Sequence, residues 1–310
     1  VVPEYLDKDH KIPSDDVDWV DEILRAAIVQ SYNLSFTKAD KKSNQLFSLG
    51  YYDQQGLVKL SDFKRVSGRF NSEYKLFDDH LRIGENISLS HSWGTSVSNN
   101  AALGGTLYEA YKFQSITPVK NLEDEYAGNV FSDIPNPMGK LHRNKDNKDK
   151  KSRLVGNLYA ELHLFDGFMF KTSFGADYNN LYRRSFSPKY DEINASEKLS
   201  GLSNRNAWNF NWVFTNTLNY TKTFGDHTIN ALLGLESLRN RYEYFTASRD
   251  GFPSDDPNFH FLDAGDVGTQ KNSGSATEYS MVSYFGKIDY NYHDRYLVAF
   301  TLYPALFFNI

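Results

Sequence analysis

The segment from Trp208 to Thr221 alternates between large apolar and polar side chains. Successive side chains of a β-strand point to opposite faces, so this strand would have one aromatic face and one face rich in amides and hydroxyls. Similar strands recur along the chain. The pattern fits two soluble sheets packed on their apolar faces. It also fits a membrane sheet whose apolar face meets lipid and whose polar face meets a watery lumen.

The alternation predicts an all-β antiparallel meander of about ten strands, each roughly nine to fifteen residues long, whereas soluble strands are usually shorter. Most connections between these strands alternate between short and long. The predicted short turns are 40–43, 77–80, 165–167, 224–227 and 292–295, and the predicted long connections are 53–62, 94–151, 179–206 and 243–277. Bacterial outer-membrane barrels have short periplasmic turns and longer extracellular loops. We therefore expect the short turns on the periplasmic side.

Two short helices interrupt the strand pattern. Apolar residues at helical spacing predict one near Asp16–Ile28, and a second is expected near Leu103–Ser115. The predicted organisation is an extracellular loop with a short helix at 1–29, a partial barrel at 30–303, and an aberrant tail at 304–310.

The polar positions carry too much charge for a protein core. Arg65, Arg69, Glu73 and Lys75 share one face of a single strand, and burying all four would carry a heavy desolvation cost. A water-filled lumen could hold them, which favours the membrane arrangement. The predicted lumen-facing residues, which could hold a plug or guide a substrate, are Arg65, Arg69, Glu73, Arg82, Lys171, Asp177 and Glu236. General polarity of the lumen is the plainer explanation. The predicted lipid-facing residues are Phe210, Trp212, Phe214, Leu158, Leu162, Leu233 and Leu235.

Composition narrows the function classes. The 310 residues carry a net charge of −5, which argues against a nucleic-acid binder that relies on phosphate contacts. With no Cys there is neither a disulfide framework nor a thiolate metal site. Mean hydropathy is −0.57, and no stretch approaches the about 20 apolar residues of a membrane helix. A membrane barrel needs export, and no export signal is visible at Val1, so we expect the chain to be a fragment.

No catalytic constellation is visible, so we predict that the chain is not an enzyme. The eight His residues are scattered singly, and we find no metal-ligand spacing among them. No metal or cofactor is predicted. The loop aromatics Tyr108, Tyr111, Phe113, Tyr126 and Phe131 could stack on sugar rings, or could simply pack a folded loop.

Several short motifs carry a resemblance to a known family, through their order and spacing over nearly the whole chain. They are Asp18-Trp19-Val20-Asp21-Glu22 leading into Tyr32-Asn33-Leu34-Ser35, Phe47-Ser48-Leu49-Gly50-Tyr51, Asp53-Gln54-Gln55-Gly56, Arg69-Phe70-Asn71, Asn136-Pro137, Gly156-Asn157-Leu158-Tyr159-Ala160-Glu161, Gly234-Leu235-Glu236 and Ser283-Tyr284-Phe285-Gly286-Lys287. The chain resembles the barrel region of SusC/RagA-like TonB-linked outer-membrane transporters of the Bacteroidota, that is, of TonB-dependent receptors.

This resemblance implies energised import across the outer membrane, through a barrel closed by an N-terminal plug. It implies four partners: a SusD-like surface lipoprotein, the TonB complex, outer-membrane lipid and an oligosaccharide or peptide substrate. The plug and the TonB-contacting segment are absent from this sequence, so the fragment would not transport anything alone.

The end of the chain departs from the family pattern. After Thr301 the family usually continues with Arg-Asp-Gly-Ser, whereas this chain continues with Leu302-Tyr303-Pro304. Because Pro304 is poorly suited to a central strand, we hypothesise a frameshift or truncation in the source. Two other functions stay open. One is a plug-less diffusion porin, and the other is a soluble β protein that binds or cleaves carbohydrate.

Overall fold

The computed structural model of the chain describes residues 2–98 and 104–309. Its main element is one large antiparallel sheet, in which consecutive strands pair in a meander, apart from one inserted hairpin and the last strand, which pairs with the strand two before it. The strands are β1 (Val29–Ala39), β2 (Ser43–Gln55), β3 (Asp62–Leu76), β4 (Leu81–Gly94), β5 (Lys148–Phe165), β6 (Phe168–Ser187), β7 (Tyr190–Glu192), β8 (Ala195–Glu197), β9 (Gly201–Phe224), β10 (His227–Asp250), β11 (Lys271–Tyr292), β12 (Tyr296–Leu302) and β13 (Ala305–Asn309). The predicted all-β meander of about ten long strands is confirmed.

The short turns lie where the sequence predicted them. Gly167 (φ 83°) and Gly225 (φ 59°) supply the left-handed backbone of two of these turns. At Gly167 a side chain is also excluded by space, because an added Cβ would lie 2.5 Å from the carbonyl oxygen of Thr221.

Two of the predicted long connections are wrong in extent. The segments 179–206 and 243–277 are largely strand, because β6, β9, β10 and β11 continue well past the predicted boundaries. The true connections are 188–200, which contains the β7–β8 hairpin, and 251–270, which contains three short 3₁₀ turns. Polar cross-strand contacts accompany the extra pairing, for example Asn180 to Asn206 (2.9 Å) and Asn240 to Asn209 (2.9 Å). Both faces are polar there, so the sequence shows no alternation.

The helices are short. Helix α1 (Trp19–Ile23) is shorter than the predicted 16–28, because Asp18 caps its start and Leu24 turns to extended backbone that pairs with Val58. Helix α2 (Thr106–Lys112) falls within the second predicted helix, whose first residue Leu103 lies outside the described residues. Helix α3 (Pro137–Asn144) was not predicted. Asn136 caps it and Pro137 occupies its first turn, which is a recognised start signal.

These helices build a small globular region at one end of the sheet, which we call the loop cluster. It comprises residues 2–28, the insertion 104–147 and the β7–β8 hairpin. Its core packs Trp19, Ile23, Ala110, Phe113 and Leu141. The rings of Trp19 and Phe113 meet edge to face with centroids 4.6 Å apart.

Residues 305–309 of the predicted tail form the last strand of the sheet. Strand β13 pairs with Tyr279–Ser283 of β11, beyond the stretch of β11 that pairs with β12. Pro304 lies in the break between β12 and β13, so it occupies no ladder position, and its carbonyl accepts a hydrogen bond from Tyr284 N (3.0 Å). Of the predicted segments, positions 1, 99–103 and 310 lie outside the described residues.

Candidate functional site

The strand register divides the candidate residues between the two faces of the sheet. Cross-strand partners share a face, so a face can be followed from strand to strand. All seven charged candidates lie on one face, here called the polar face: Arg65, Arg69, Glu73, Arg82, Lys171, Asp177 and Glu236. All seven apolar candidates lie on the other, here called the apolar face: Leu158, Leu162, Phe210, Trp212, Phe214, Leu233 and Leu235. The lumen and lipid contacts of these residues stay predictions.

The apolar face is exposed. Leu158 is 54% exposed and Leu233 is 64% exposed, and no second sheet layer of the described residues covers them. A soluble two-layer protein would seal these side chains between its sheets. Within the described residues, the apolar face is therefore not packed as it would be in a soluble two-layer protein.

A network near the short turns joins two of the charged candidates, Glu73 and Lys171. Tyr159 donates its hydroxyl hydrogen to Glu73 (2.7 Å), and Lys171 forms an ion pair with Glu161 (2.8 Å). The Lys171 ammonium also lies 4.9 Å from the centre of the Tyr159 ring. Arg82 is the cross-strand partner of Glu161, but its ion pair is with Asp79 of the neighbouring short turn (3.5 Å).

Asp177 lies farther along the polar face, away from that network. It accepts two hydrogen bonds from the guanidinium of Arg153, at 3.0 and 2.6 Å. Arg183 and Asp149 form a second two-pronged pair toward the loop cluster. The partners Arg153, Tyr159 and Glu161 were not chosen as site residues, although they occupy polar-face positions. Opposite charge on neighbouring strands could have found two of them, since Glu161 lies directly opposite Lys171 and Arg153 lies diagonally from Asp177, whereas Tyr159 gives no such signal.

Arg65 and Arg69 stand apart from the other candidates. Neither makes an ion pair with any residue that the structure describes. The guanidinium of Arg65 lies 5.8 Å from the ring centre of Tyr52, and Arg69 donates to the side-chain oxygen of Asn71 (3.3 Å). Glu236 is also separate, and it accepts a hydrogen bond from Thr215 (3.1 Å). The structure therefore does not bring the seven candidates into one compact site.

An aromatic and basic cluster on the polar face was missed by the sequence analysis. The guanidinium of Arg205 lies 4.0 Å from the ring centre of Tyr244, and it donates to the Tyr242 hydroxyl (3.1 Å). These residues belong to strand extensions that were predicted as loops or loop margins. Their common face could only be recognised once the strands were known to continue.

One polar pair interrupts the apolar face. Glu85 is the cross-strand partner of Ser72, and the Ser72 hydroxyl donates to its carboxylate. Leu158 is the neighbour of Glu85 on the other side. The hydroxyl of Ser72 therefore satisfies one acceptor of this carboxylate within the apolar face.

The loop cluster contains a buried ion pair that ties its parts together. Glu192 of the β7–β8 hairpin is 3% exposed and contacts Arg143 of α3 (2.5 Å), while the backbone N–H of Asn136 donates to its other oxygen (2.6 Å). Burial raises the pKa of Glu192 above its ordinary value, and Arg143 opposes that shift. The Asn136 side chain donates to the carbonyls of Val119 and Ala127, both at 3.0 Å.

Of the loop aromatics, Phe113 is buried in the core of the loop cluster, whereas Tyr111 is 81% exposed and Phe131 is 56% exposed. Phe113 therefore serves local packing and is not available to a ligand. Tyr126 lines an open cavity of about 510 Å³ with His142 and His260. The ring of His260 stacks on Phe186 with centroids 3.5 Å apart, and burial lowers the pKa of His260 below its ordinary value.

The described ranges contain no cluster of three or more His, Cys, Asp or Glu side chains that could hold a metal ion. Within the same ranges, every helix is too short or too polar to cross a bilayer.

Comparison with known proteins identifies relatives that match most of the chain. It is 28% identical over 291 residues to "TonB-dependent receptor P3" of Formosa agariphila, covering 92% of this chain and 29% of the relative. It is 25% identical over 317 residues to "TonB-dependent receptor SusC" of Bacteroides thetaiotaomicron, covering 94% of this chain and 31% of that protein. The chain thus spans about a third of the length of these curated relatives. No protein-family model matches it.

Solved structures agree with the fold. The RagAB peptide transporter matches with a TM-score of 0.82 at 21% identity, covering 95% of this chain and 34% of that one, and the RagAB importer in its open-open state matches equally well at 22% identity. The predicted resemblance to SusC/RagA-like TonB-dependent receptors is confirmed. The relatives named here are receptors and transporters and not enzymes, in agreement with the prediction.

Proposed function

Because the chain is similar to SusC/RagA-like TonB-dependent receptors over nearly its whole length, we propose that it forms part of the barrel wall of an outer-membrane importer. The observation that carries this proposal is the two-faced sheet. Its register collects charged side chains on one face and leaves large apolar side chains exposed on the other. The plug and the TonB contact would be supplied by parts of the receptor outside these 310 residues.

The apolar face would meet the hydrocarbon of the membrane. A sheet can span lipid only if every backbone polar group is paired, which requires a closed barrel. Among the described residues, β1 pairs with β2 alone, so its other edge is open here. The missing strands of the receptor would complete the barrel by pairing with such edges.

The polar face would line the lumen. Most of its acidic groups are already paired with Arg, Lys or Tyr on the same wall, whereas Arg65 and Arg69 of β3, like Lys151 and Arg205, make no ion pair with a described residue. Arg65 and Arg69 are four residues apart on β3 and therefore point to the same side. We assign these two to contacts with acidic groups of the plug, with direct cargo contact as the second role.

The short turns would lie in the periplasm, and the loop cluster would lie at the cell surface. This placement follows the usual asymmetry of outer-membrane barrels. In the predicted organisation the segment 1–29 is extracellular, 30–303 is barrel wall and 304–310 is a tail. The surface position of the loop cluster would let it contact a SusD-like lipoprotein.

The cargo class is oligosaccharide or peptide. One solved relative is described as a peptide transporter, and the loop cluster offers polar and aromatic side chains to either cargo. The experiment is uptake by cells that lack the receptor gene and by cells complemented with the full-length receptor. Fluorescent oligosaccharides and peptides are supplied in parallel, and the receptor is located by membrane fractionation.

We expect the receptor in the outer-membrane fraction, uptake of one cargo class only in complemented cells, and loss of uptake when a protonophore collapses the inner-membrane gradient. Uptake that persists with the protonophore would favour the plug-less porin instead. A receptor found in the soluble fraction would refute the membrane assignment.

A further inference from the structure

The apolar face ends in a patch of basic side chains on β5 and β6. On β5 the apolar positions run up to Leu154, and the next positions on that face are Ser152, Lys150 and Lys148. On β6 the corresponding positions after Tyr178 include Tyr182 and Arg184. Lys148 is the cross-strand partner of Arg184, and Lys150 is the partner of Tyr182 on one side and of Trp93 on the other. We call Lys148, Lys150 and Arg184 the basic patch.

The charges of the basic patch are not neutralised. None of its three residues forms an ion pair with a described residue. The contrast is with β10, where the apolar face also turns basic. There Arg239 contacts Glu278 (2.5 Å) and Arg241 contacts Glu243 (2.8 Å). Like charges on neighbouring strands repel each other, so an external anion would stabilise the basic patch. Arg239 and Arg241 do not need such an anion, because carboxylates of the chain already neutralise them.

The basic patch continues into an open cavity. Lys148 lines a cavity of about 360 Å³ together with Arg25, Lys64 and Lys145. The acidic side chains of this cavity are Asp53 and Asp62, and Asp53 already forms an ion pair with Lys64 (2.9 Å). The cavity therefore retains an excess of positive charge beside the basic patch, in a space that can hold a compact anionic group.

Aromatic side chains accompany the cations. Trp93 and Tyr182 lie directly beside Lys150 on the same face. Trp and Tyr prefer the boundary between hydrocarbon and headgroups, where one end of the side chain is apolar and the other is wet. Along β5 from the short turn this face carries apolar side chains up to Leu154 and then Ser152, Lys150 and Lys148, with the aromatic rings of the neighbouring strands level with Lys150. Apolar side chains followed by a level of mixed aromatic and basic side chains match the passage from hydrocarbon to anionic headgroups in a membrane leaflet.

We propose that the basic patch binds the phosphate groups of an anionic glycolipid in the outer leaflet, an inference that rests on the membrane placement proposed above. Lysine and arginine side chains bind phosphate through charge-assisted hydrogen bonds, and basic pockets at the edge of a membrane span recognise anionic headgroups. The apolar positions from Leu154 toward the short turn would contact the acyl chains of the same lipid.

The test measures lipid binding by the full-length receptor in detergent and in nanodiscs. The probes are diphosphorylated lipid A, dephosphorylated lipid A and inorganic phosphate. Lys150→Gln is compared with Lys151→Gln, a matched control that removes the same charge one residue along the strand, from the polar face. The triple variant Lys148→Gln/Lys150→Gln/Arg184→Gln removes the whole basic patch.

We expect Lys150→Gln to weaken binding of diphosphorylated lipid A about fivefold, and the triple variant to weaken it at least tenfold, because each basic group near an anionic surface contributes roughly a factor of five. Lys151→Gln should change it less than about twofold, since its charge lies on the other face. Equal effects of Lys150→Gln and Lys151→Gln, or equal binding of dephosphorylated lipid A, would overturn the proposal. Competition by inorganic phosphate at the affinity of the lipid would also overturn it, because it would indicate an ion site.

Membrane fractionation of the same variants keeps the two proposals apart. If the receptor fractionates with the outer membrane while lipid binding is insensitive to the basic patch, this inference fails and the proposed function stands. If the receptor is soluble, the proposed function itself fails.

Discussion

The strand wall and the loop cluster are stabilised by different means. The loop cluster has a conventional core, in which Trp19, Ile23 and Leu141 are almost fully buried. The strand wall buries few large side chains, and its apolar residues lie on an exposed face. The loop cluster therefore buries its apolar side chains within the chain, whereas in the proposed membrane setting the wall would bury them against hydrocarbon and would need partners for its open edges. The difference teaches that the two regions of this chain depend on different surroundings for their apolar side chains.

The largest effect should come from the core of the loop cluster. Trp19→Ala should destabilise this region by about 3–5 kcal/mol, because a large buried aromatic leaves a cavity. Protease cleavage within 104–147 should accelerate while the wall stays protected. Tyr111→Ala is the control, since this residue is 81% exposed and surface changes usually stay within about 0.5 kcal/mol. Equal acceleration of cleavage by Trp19→Ala and Tyr111→Ala would contradict the claim that a buried core stabilises the loop cluster.

The next effect separates the two faces of the wall. Leu158→Arg should cost about 2–4 kcal/mol of folding free energy in lipid, because it places a charge against hydrocarbon. Asn157→Arg adds the same side chain one residue earlier, on the polar face, and should cost far less. The measurement is denaturant unfolding of the full-length receptor in bilayers. A larger loss with Asn157→Arg would reverse the assignment of the faces.

A smaller, pH-dependent effect should appear where the 251–270 connection packs on β6. Burial lowers the pKa of His260, and Arg184 adds to that shift, while Asp255 and Asp146 oppose it. As the pH falls below the ordinary value of about 6.5, the unfolded segment takes up a proton that the folded segment does not. Stability is therefore present at higher pH and is lost as the pH falls toward the folded pKa.

The measurement for His260 is proteolysis of the 251–270 connection at pH 7.5 and 5.5. His260→Phe keeps a ring against Phe186 but cannot titrate, so its susceptibility should change less between the two pH values. The same pH dependence in both proteins would show that His260 is not the responsible group.

The smallest effect should come from the ion pairs of the polar face. Asp177→Asn removes the charge that Arg153 contacts, but both side chains are partly exposed. Such pairs contribute about 0.2–1 kcal/mol. Unfolding in bilayers at low and high salt should show a small loss that shrinks with salt. A loss as large as that of Leu158→Arg would mean that this wall is not hydrated.

The sequence predicted the meander and its short turns because a strand with one apolar and one polar face has a hydrophobic period of two. The same dependence on alternation explains why the prediction missed the strand extensions. In the extension of β10 from Arg239 to Glu243 no apolar side chains alternate with polar ones, so the strand gave no hydrophobic signal and was taken as the margin of a loop. Pairing there depends on partners such as Glu278, which are distant in sequence.

The candidate site was predictable in its faces but not in its contacts. Parity along each strand assigned Glu73 and Lys171 to one face, yet their link through Tyr159 depends on the register of β3, β5 and β6. The buried pair of Glu192 and Arg143 depends on how an insertion folds against a hairpin, which the hydrophobic pattern of the sequence does not predict. Helix α3 could have been predicted from Asn136 and Pro137 alone.

The most direct test is spin-label accessibility along β9 in lipid bilayers. The chain contains no Cys, so single cysteines at 208–221, in a cysteine-free background of the full-length receptor, report one position at a time. The account predicts that labels at Phe210, Trp212 and Phe214 collide with oxygen dissolved in lipid, while labels at Asn211 and Thr215 collide with a water-soluble nickel chelate. The opposite assignment of the two reagents, or equal accessibility at odd and even positions, would contradict this prediction.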